Sequence, residues 1–217
     1  MNSKTGVSCK NSNNCEEECR SIFSIKKNDT KPSFKVSVED CDVDFSEENM
    51  SLKYDMWFKA KLKKDILKTD TVIYFADNIG FDKVLQNDII FLETNRNLEQ
   101  MLVVGFDEDA KSIQVQRSYN STNSENWKKG SELKIYRVLE KDAEIEILLE
   151  DVMQTDGTIL QDQISDTLFV VNWDSNSTKT SGCYFLEFKL IKSDNSGNIQ
   201  WIKTIPNSDY FVINIEP

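Results

Sequence analysis

Apolar and polar residues alternate with a period of two along most of this chain. Phe34, Val36 and Val38 interleave with Ser33, Lys35 and Ser37, and Leu52, Tyr54, Met56, Phe58, Ala60 and Leu62 share one parity against Lys53, Asp55, Lys59 and Lys61. Side chains arranged in this way line opposite faces of a strand, one in a core and one in water. Trp57 breaks the second pattern, because it falls on the polar parity. Further strands are expected at 22–25, 71–75, 88–92, 101–106, 113–117, 133–138, 168–173, 183–192, 199–205 and 210–215. Each is rich in β-branched and aromatic residues and is bounded by Asn, Asp, Ser or Gly. From Tyr184 to Ile191 nearly every position is apolar, which predicts a central strand covered on both faces or pressed against a second domain.

One segment carries two periodicities. Ile145, Leu148, Leu149 and Val152 fit a helical stripe, while Ile145, Ile147 and Leu149 fit a strand; the strand is preferred, consistent with its neighbours. Residues 1–20 show neither period and read as a polar, flexible tail. The expected fold class is all-β.

Composition narrows this picture. With 39% hydrophobic residues, 29% charged and three prolines, the chain suits a soluble globular protein. A formal charge of -11, with no run of Lys and Arg interleaved with aromatics, argues against nucleic acid as a partner. No stretch approaches the roughly 18 apolar residues that would span a bilayer, and the first ten residues lack the apolar centre of a signal peptide. No membrane partner is expected, and the chain is expected to be made and kept in a cytoplasm until assembly. The sequons at Asn28, Asn49, Asn120 and Asn176 then read as chance features of an Asn-rich and Ser-rich chain. Cys9, Cys15, Cys19, Cys41 and Cys183 are odd in number, and three fall in the tail. Their spacing fits neither a disulfide framework nor a zinc knuckle, and free thiols are expected in the tail.

Candidate chemistry is sparse. The chain has no histidine, which removes the commonest general base and the commonest metal ligand. Asp40, Asp42 and Asp44 would share one side of an extended segment, but a calcium loop starting at Asp40 would place Phe45 where glycine is needed and Ser51 where the bidentate glutamate belongs. They read as a polar turn. Glu99 and Arg117 are placed to pair across strands. With seven glycines and no Gly-rich loop, no phosphate cradle exists. No catalytic residue, metal or cofactor is assigned. Trp57, Trp127 and Trp201 are candidate interface residues, and together with Trp173 they are also the rings on which a carbohydrate- or receptor-binding module would draw.

The chain carries two resemblances to known families. The run Phe23-Ser24-Ile25-Lys26-Lys27-Asn28-Asp29-Thr30-Lys31-Pro32, followed by a strand and by Asp44-Phe45-Ser46, resembles the opening of the immunoglobulin-like N-terminal domain of phage baseplate upper proteins, where a "GDT-x-P" turn occurs. Asn28 stands in place of the glycine. The closing half of that domain is similar to the segment from Gly182 to Phe188, the turn from Asp194 to Gly197, the segment from Trp201 to Pro206, and the last strand. In the middle, Arg117-Ser118-Tyr119-Asn120-Ser121-Thr122 and Trp127-Lys128-Lys129-Gly130-Ser131 are similar to an "RGxxGT…H…G" signature of small β domains in phage tail proteins. Ser118 and Ser121 replace its glycines, and Trp127 its histidine.

The resemblances imply an immunoglobulin-like sandwich built from 21–62 and 140–217, with a small β-barrel or sandwich inserted at 63–139. One continuous β domain, or two in succession, is the alternative from strand pattern alone. They also imply a structural component of a bacteriophage virion, a non-enzymatic tail or baseplate adaptor that meets other virion proteins in a symmetric assembly. A neck or head-fibre protein and a glycan- or receptor-binding module are the alternatives.

Overall fold

The computed structural model describes residues 22–38, 43–76, 78–206 and 210–217. The tail, four of the five cysteines, Asp40 and Asp42 lie outside them. The described residues form twelve strands: β1 (Ile22–Lys26), β2 (Phe34–Ser37), β3 (Met50–Lys61), β4 (Val72–Tyr74), β5 (Ile89–Glu93), β6 (Leu98–Asp107), β7 (Ser112–Gln116), β8 (Glu132–Met153), β9 (Ile159–Val171), β10 (Gly182–Ser193), β11 (Ile199–Ile205) and β12 (Phe211–Glu216). One short helix, α1 (Asn78–Lys83), and one 3-10 turn, Tyr119–Ser121, accompany them. The fold is all-β, and none of these helices is long and apolar enough to cross a membrane.

Two sheets form a sandwich. In the first, β1 runs parallel to β12, and β12, β10 and β3 follow in antiparallel order, with β11 on the same flank of β10 as β12. In the second, β2 pairs with β9 and β9 with the C-terminal half of β8. Aromatic rings bridge the two layers: Phe34 on β2 stacks on Phe188 at 6.3 Å between centroids, and Phe169 on β9 meets Phe188 edge-on at 5.2 Å. Tyr184, Leu186, Phe188 and Leu190 are fully buried. β10 is therefore central, as its apolar run predicts. Its other face is only partly covered, since Phe185 is half-buried.

Between β3 and β8 the chain builds a small barrel. The ring runs β3–β8–β5–β6–β7–β4 and returns to β3 through the bridge from Leu62 to Phe75. The backbone N–H of Lys63 donates to Tyr74 O at 2.8 Å, and that of Ala76 donates to Lys61 O at 2.8 Å. Closure leaves no free edge among these strands. Phe58, Leu62, Ile73, Ile90, Leu92, Met101, Val103, Ile113, Leu133 and Ile135 fill the interior. β3 and β8 belong to both units, and their buried residues merge into one core.

β8 is the spine of the molecule. Its first half pairs with β3 and β5, and its second half pairs with β9 alone. The crossing is marked by irregular pairing near Met56 and Val138, and by a left-handed Glu140 at φ 52°, which is how bulges turn a strand from one sheet to another. Segments 133–138 and 144–152, read separately in the sequence, are thus one strand, and the strand reading of the second holds. Cys183, on β10, is disulfide-bonded, with its partner outside the described residues; neither the odd cysteine count nor the spacing suggests this pairing.

Candidate interaction surfaces

Polar groups inside the barrel are fully engaged. Glu99 lies on the parity of Met101 and Val103, so its strand carries it inward, and it is 0% exposed. The Arg117 Nε donates to Glu99 Oε1, and Nη2 donates to Glu99 Oε2 at 2.8 Å and to Glu125 O at 2.7 Å. The remaining guanidinium donors go to Leu67 O and Asp70 O, both at 2.8 Å. The Trp127 Nε1–H donates to Glu99 Oε2 at 2.7 Å, and the Glu125 N–H joins it at 3.0 Å. Burial opposes ionisation of Glu99, but these hydrogen bonds outweigh it and hold the carboxyl below its ordinary value. The pairing expected across strands is therefore present, and it seals one end of the barrel.

A second ion pair joins barrel to sandwich. Arg137, on β8, donates to Asp88 Oδ1 at 2.8 Å, to Lys83 O, and to Thr180 Oγ1 at 3.0 Å in the β9–β10 connection. Both charged side chains are buried. Burial raises the Asp88 carboxyl above its ordinary value, with Arg137 opposing. Sequence reasoning missed this pair, because Asp88 precedes β5 and Arg137 lies on β8, and only the barrel brings the two together.

On the outward face of the shared sheet a second, small apolar cluster forms around Trp57. Phe185 lies 4.7 Å away and Tyr210 4.9 Å away, with Tyr136 behind at 6.1 Å. This explains why Trp57 departs from its strand's polar parity: it is 1% exposed, and its Nε1 has no partner among the described residues. Beside it Asp55 is also buried, held by Lys189 at 2.9 Å and by the Glu140 N–H at 2.6 Å. Burial and the neighbouring Asp55 raise the carboxyl of Glu187, directly opposite on β10. Lys189 and Lys134 oppose this rise.

Of the candidate tryptophans, then, Trp57 and Trp127 are buried in separate places, and Trp201 is 37% exposed on the flanking strand β11 beside Ile199 and Ile202. Trp173 is buried in the sandwich. The structure does not bring these rings together. Among the described residues no cluster of potential metal ligands occurs.

No protein-family model and no curated protein matches the chain. Its surfaces must therefore be read from their own chemistry, and the largest anomaly lies elsewhere. Beyond Ile147 the β8–β9 hairpin leaves the body, and every residue from Leu148 to Ser165 is exposed. Cross-strand pairs Leu149–Ile164, Val152–Leu160 and Met153–Ile159 climb this arm, and Met153 is 71% exposed. At the tip, the Gln154 N–H donates to Thr158 O at 2.7 Å, around a left-handed Gly157 at φ 86°. Sequence reasoning missed the arm's returning strand, the first half of β9, because Gln161-Asp162-Gln163-Ile164-Ser165-Asp166 has no apolar alternation. The exposed apolar pairs become visible only once the register is known.

Proposed function

We propose that this chain is a non-enzymatic structural component of a bacteriophage virion, an all-β adaptor that joins other virion proteins at the tail or baseplate. The observation that carries the reading is the arm: two strands with free edges and exposed apolar pairs, projecting from a body whose barrel closes on itself. Isolated two-stranded hairpins are marginal in water, and exposed apolar surface of this kind marks contact with another chain. The local backbone accords with the sequence resemblances. Asn28, Ser118 and Ser121, which stand where the resembled families have glycine, hold φ of 66°, 56° and 61°, the left-handed region that glycine occupies without strain. Asp44 accepts hydrogen bonds from the Ser46 N–H and hydroxyl at 2.9 and 2.6 Å, forming a tight corner after β2. Burial of Trp57, Trp127 and Trp173 removes three of the four rings on which a glycan-binding module would draw.

The test is the protein content of purified particles. The chain is expected at a fixed stoichiometry to other virion proteins. Abundance in infected cells with absence from particles would overturn the proposal.

A further inference from the structure

We infer that the arm docks on the lysine-rich end of the barrel in a second copy of this chain, making a head-to-tail contact. The inference rests on the assembly part of the functional proposal and not on membership of a particle. The two surfaces lie at opposite ends of β8, so a chain cannot readily satisfy its own arm.

The arm has both of the properties that a partner must match. From Leu148 to Ser165 it carries Glu150, Asp151, Asp156 and Asp162 and no Lys or Arg. Its apolar pairs run between these acids along roughly 20 Å of hairpin, from Leu148 to Met153 at about 3.3 Å per residue. Two arms laid together would oppose like charges, which disfavours a symmetric arm-to-arm contact.

The far end of the barrel is complementary. Segments 61–68 and 126–131 are held side by side by the bridge from Ile66 to Trp127 and by the Gly130 N–H donating to Leu62 O at 2.9 Å. Together they expose Lys61, Lys63, Lys64, Lys68, Lys128 and Lys129 around Leu67, which is 56% exposed. Local acids occupy two of the six: Asp65 pairs with Lys128 at 3.0 Å, and Glu125 with Lys68 at 3.3 Å. Lys64 lies over the Tyr74 ring at 3.5 Å. Lys61, Lys63 and Lys129 have no acidic partner among the described residues. An exposed leucine ringed by uncompensated lysines fits an arm of apolar pairs ringed by uncompensated carboxylates. Because the patch and the arm are different surfaces, the contact is heterologous and repeats from copy to copy, closing into a ring or extending as a filament.

Light scattering of the full chain across a concentration series tests this. The expected result is a mass that rises with concentration and falls back as salt is raised. A chain with Glu150→Lys and Asp151→Lys, and a chain with Lys63→Glu and Lys129→Glu, should each associate at least tenfold more weakly. A chain carrying all four substitutions should recover association, because the complementary charges have been exchanged. Met153→Asp, at an exposed site, should weaken association at unchanged melting temperature, which separates docking from folding. A native chain that stays monomeric, reversal variants that associate as the native chain does, or a four-substituted chain that stays apart would each overturn the inference. Association intact with the chain absent from particles would sink the virion reading alone.

Discussion

The two ends of β8 meet opposite fates. At its start, Leu133 and Ile135 face a closed ring in which every strand has a neighbour on both sides, and Glu99 and Arg117 cap one end with all their donors and acceptors matched. At its end, Leu149, Val152 and Met153 face water with one strand beside them. A barrel removes sheet edges by closing, and a hairpin that leaves the body exposes two. The difference separates the residues that hold the fold from those that are free to bind.

The largest expected effect comes from breaking the closed end. Glu99→Ala would strand the Arg117 guanidinium and the Trp127 Nε1–H in the interior. Loss of one partner from a buried ion pair costs about 3–5 kcal/mol, and the melting temperature should drop by roughly 10 °C. Next is the joint between the two units. Arg137→Ala leaves Asp88 buried without its cation, and a loss of about 3 kcal/mol is expected in denaturant unfolding. A near-neutral result at either site would mean that the polar network is not what holds the barrel.

Acid should act on the body and spare the arm's role in stability. Burial works against ionisation of Asp174, but hydrogen bonds from Lys141 and from the Ser177 hydroxyl and N–H outweigh it, holding the carboxyl at about 2. The unfolded value is about 3.9. Its contribution is therefore fully present above about pH 4 and is lost as pH falls through the folded value. Glu99, also depressed, has the same sign. Melting temperatures recorded from pH 6 down to pH 2 should fall below pH 4, and less steeply for Asp174→Asn.

The smallest effect on stability is expected where the surface is most apolar. Replacing 148–165 by a two-residue Asn-Gly turn, which suits a hairpin, should change the stability of the monomer by about 0.5 kcal/mol or less, because these residues bury little. The same change should abolish association in light scattering.

How much of this was legible depended on which neighbours a residue meets. Period-two alternation fixed the β character of Leu52 to Leu62 and of the last strands, because a half-buried strand writes its environment into its own sequence. The Glu99–Arg117 pair was also legible, as the two strands are joined by a short connection. Trp57 sat on the wrong parity for a reason that sequence could flag but not explain, since Phe185 and Tyr210 reach it from far along the chain. The arm was hidden: its returning strand, the first half of β9, has no apolar rhythm, and its exposure follows from how far β8 runs beyond the sandwich. Two of the candidate interface rings proved buried for a related reason, because a large ring in a sequence signals a contact without saying whether that contact lies within the chain.

Amide hydrogen exchange resolved along β8, in dilute and in associated protein, addresses the central claim most directly. The account predicts slow exchange in the barrel half under both conditions, with the arm amides beyond Ile147 fast in the monomer and slowed on association. Arm amides that exchange equally fast in the associated protein would contradict it.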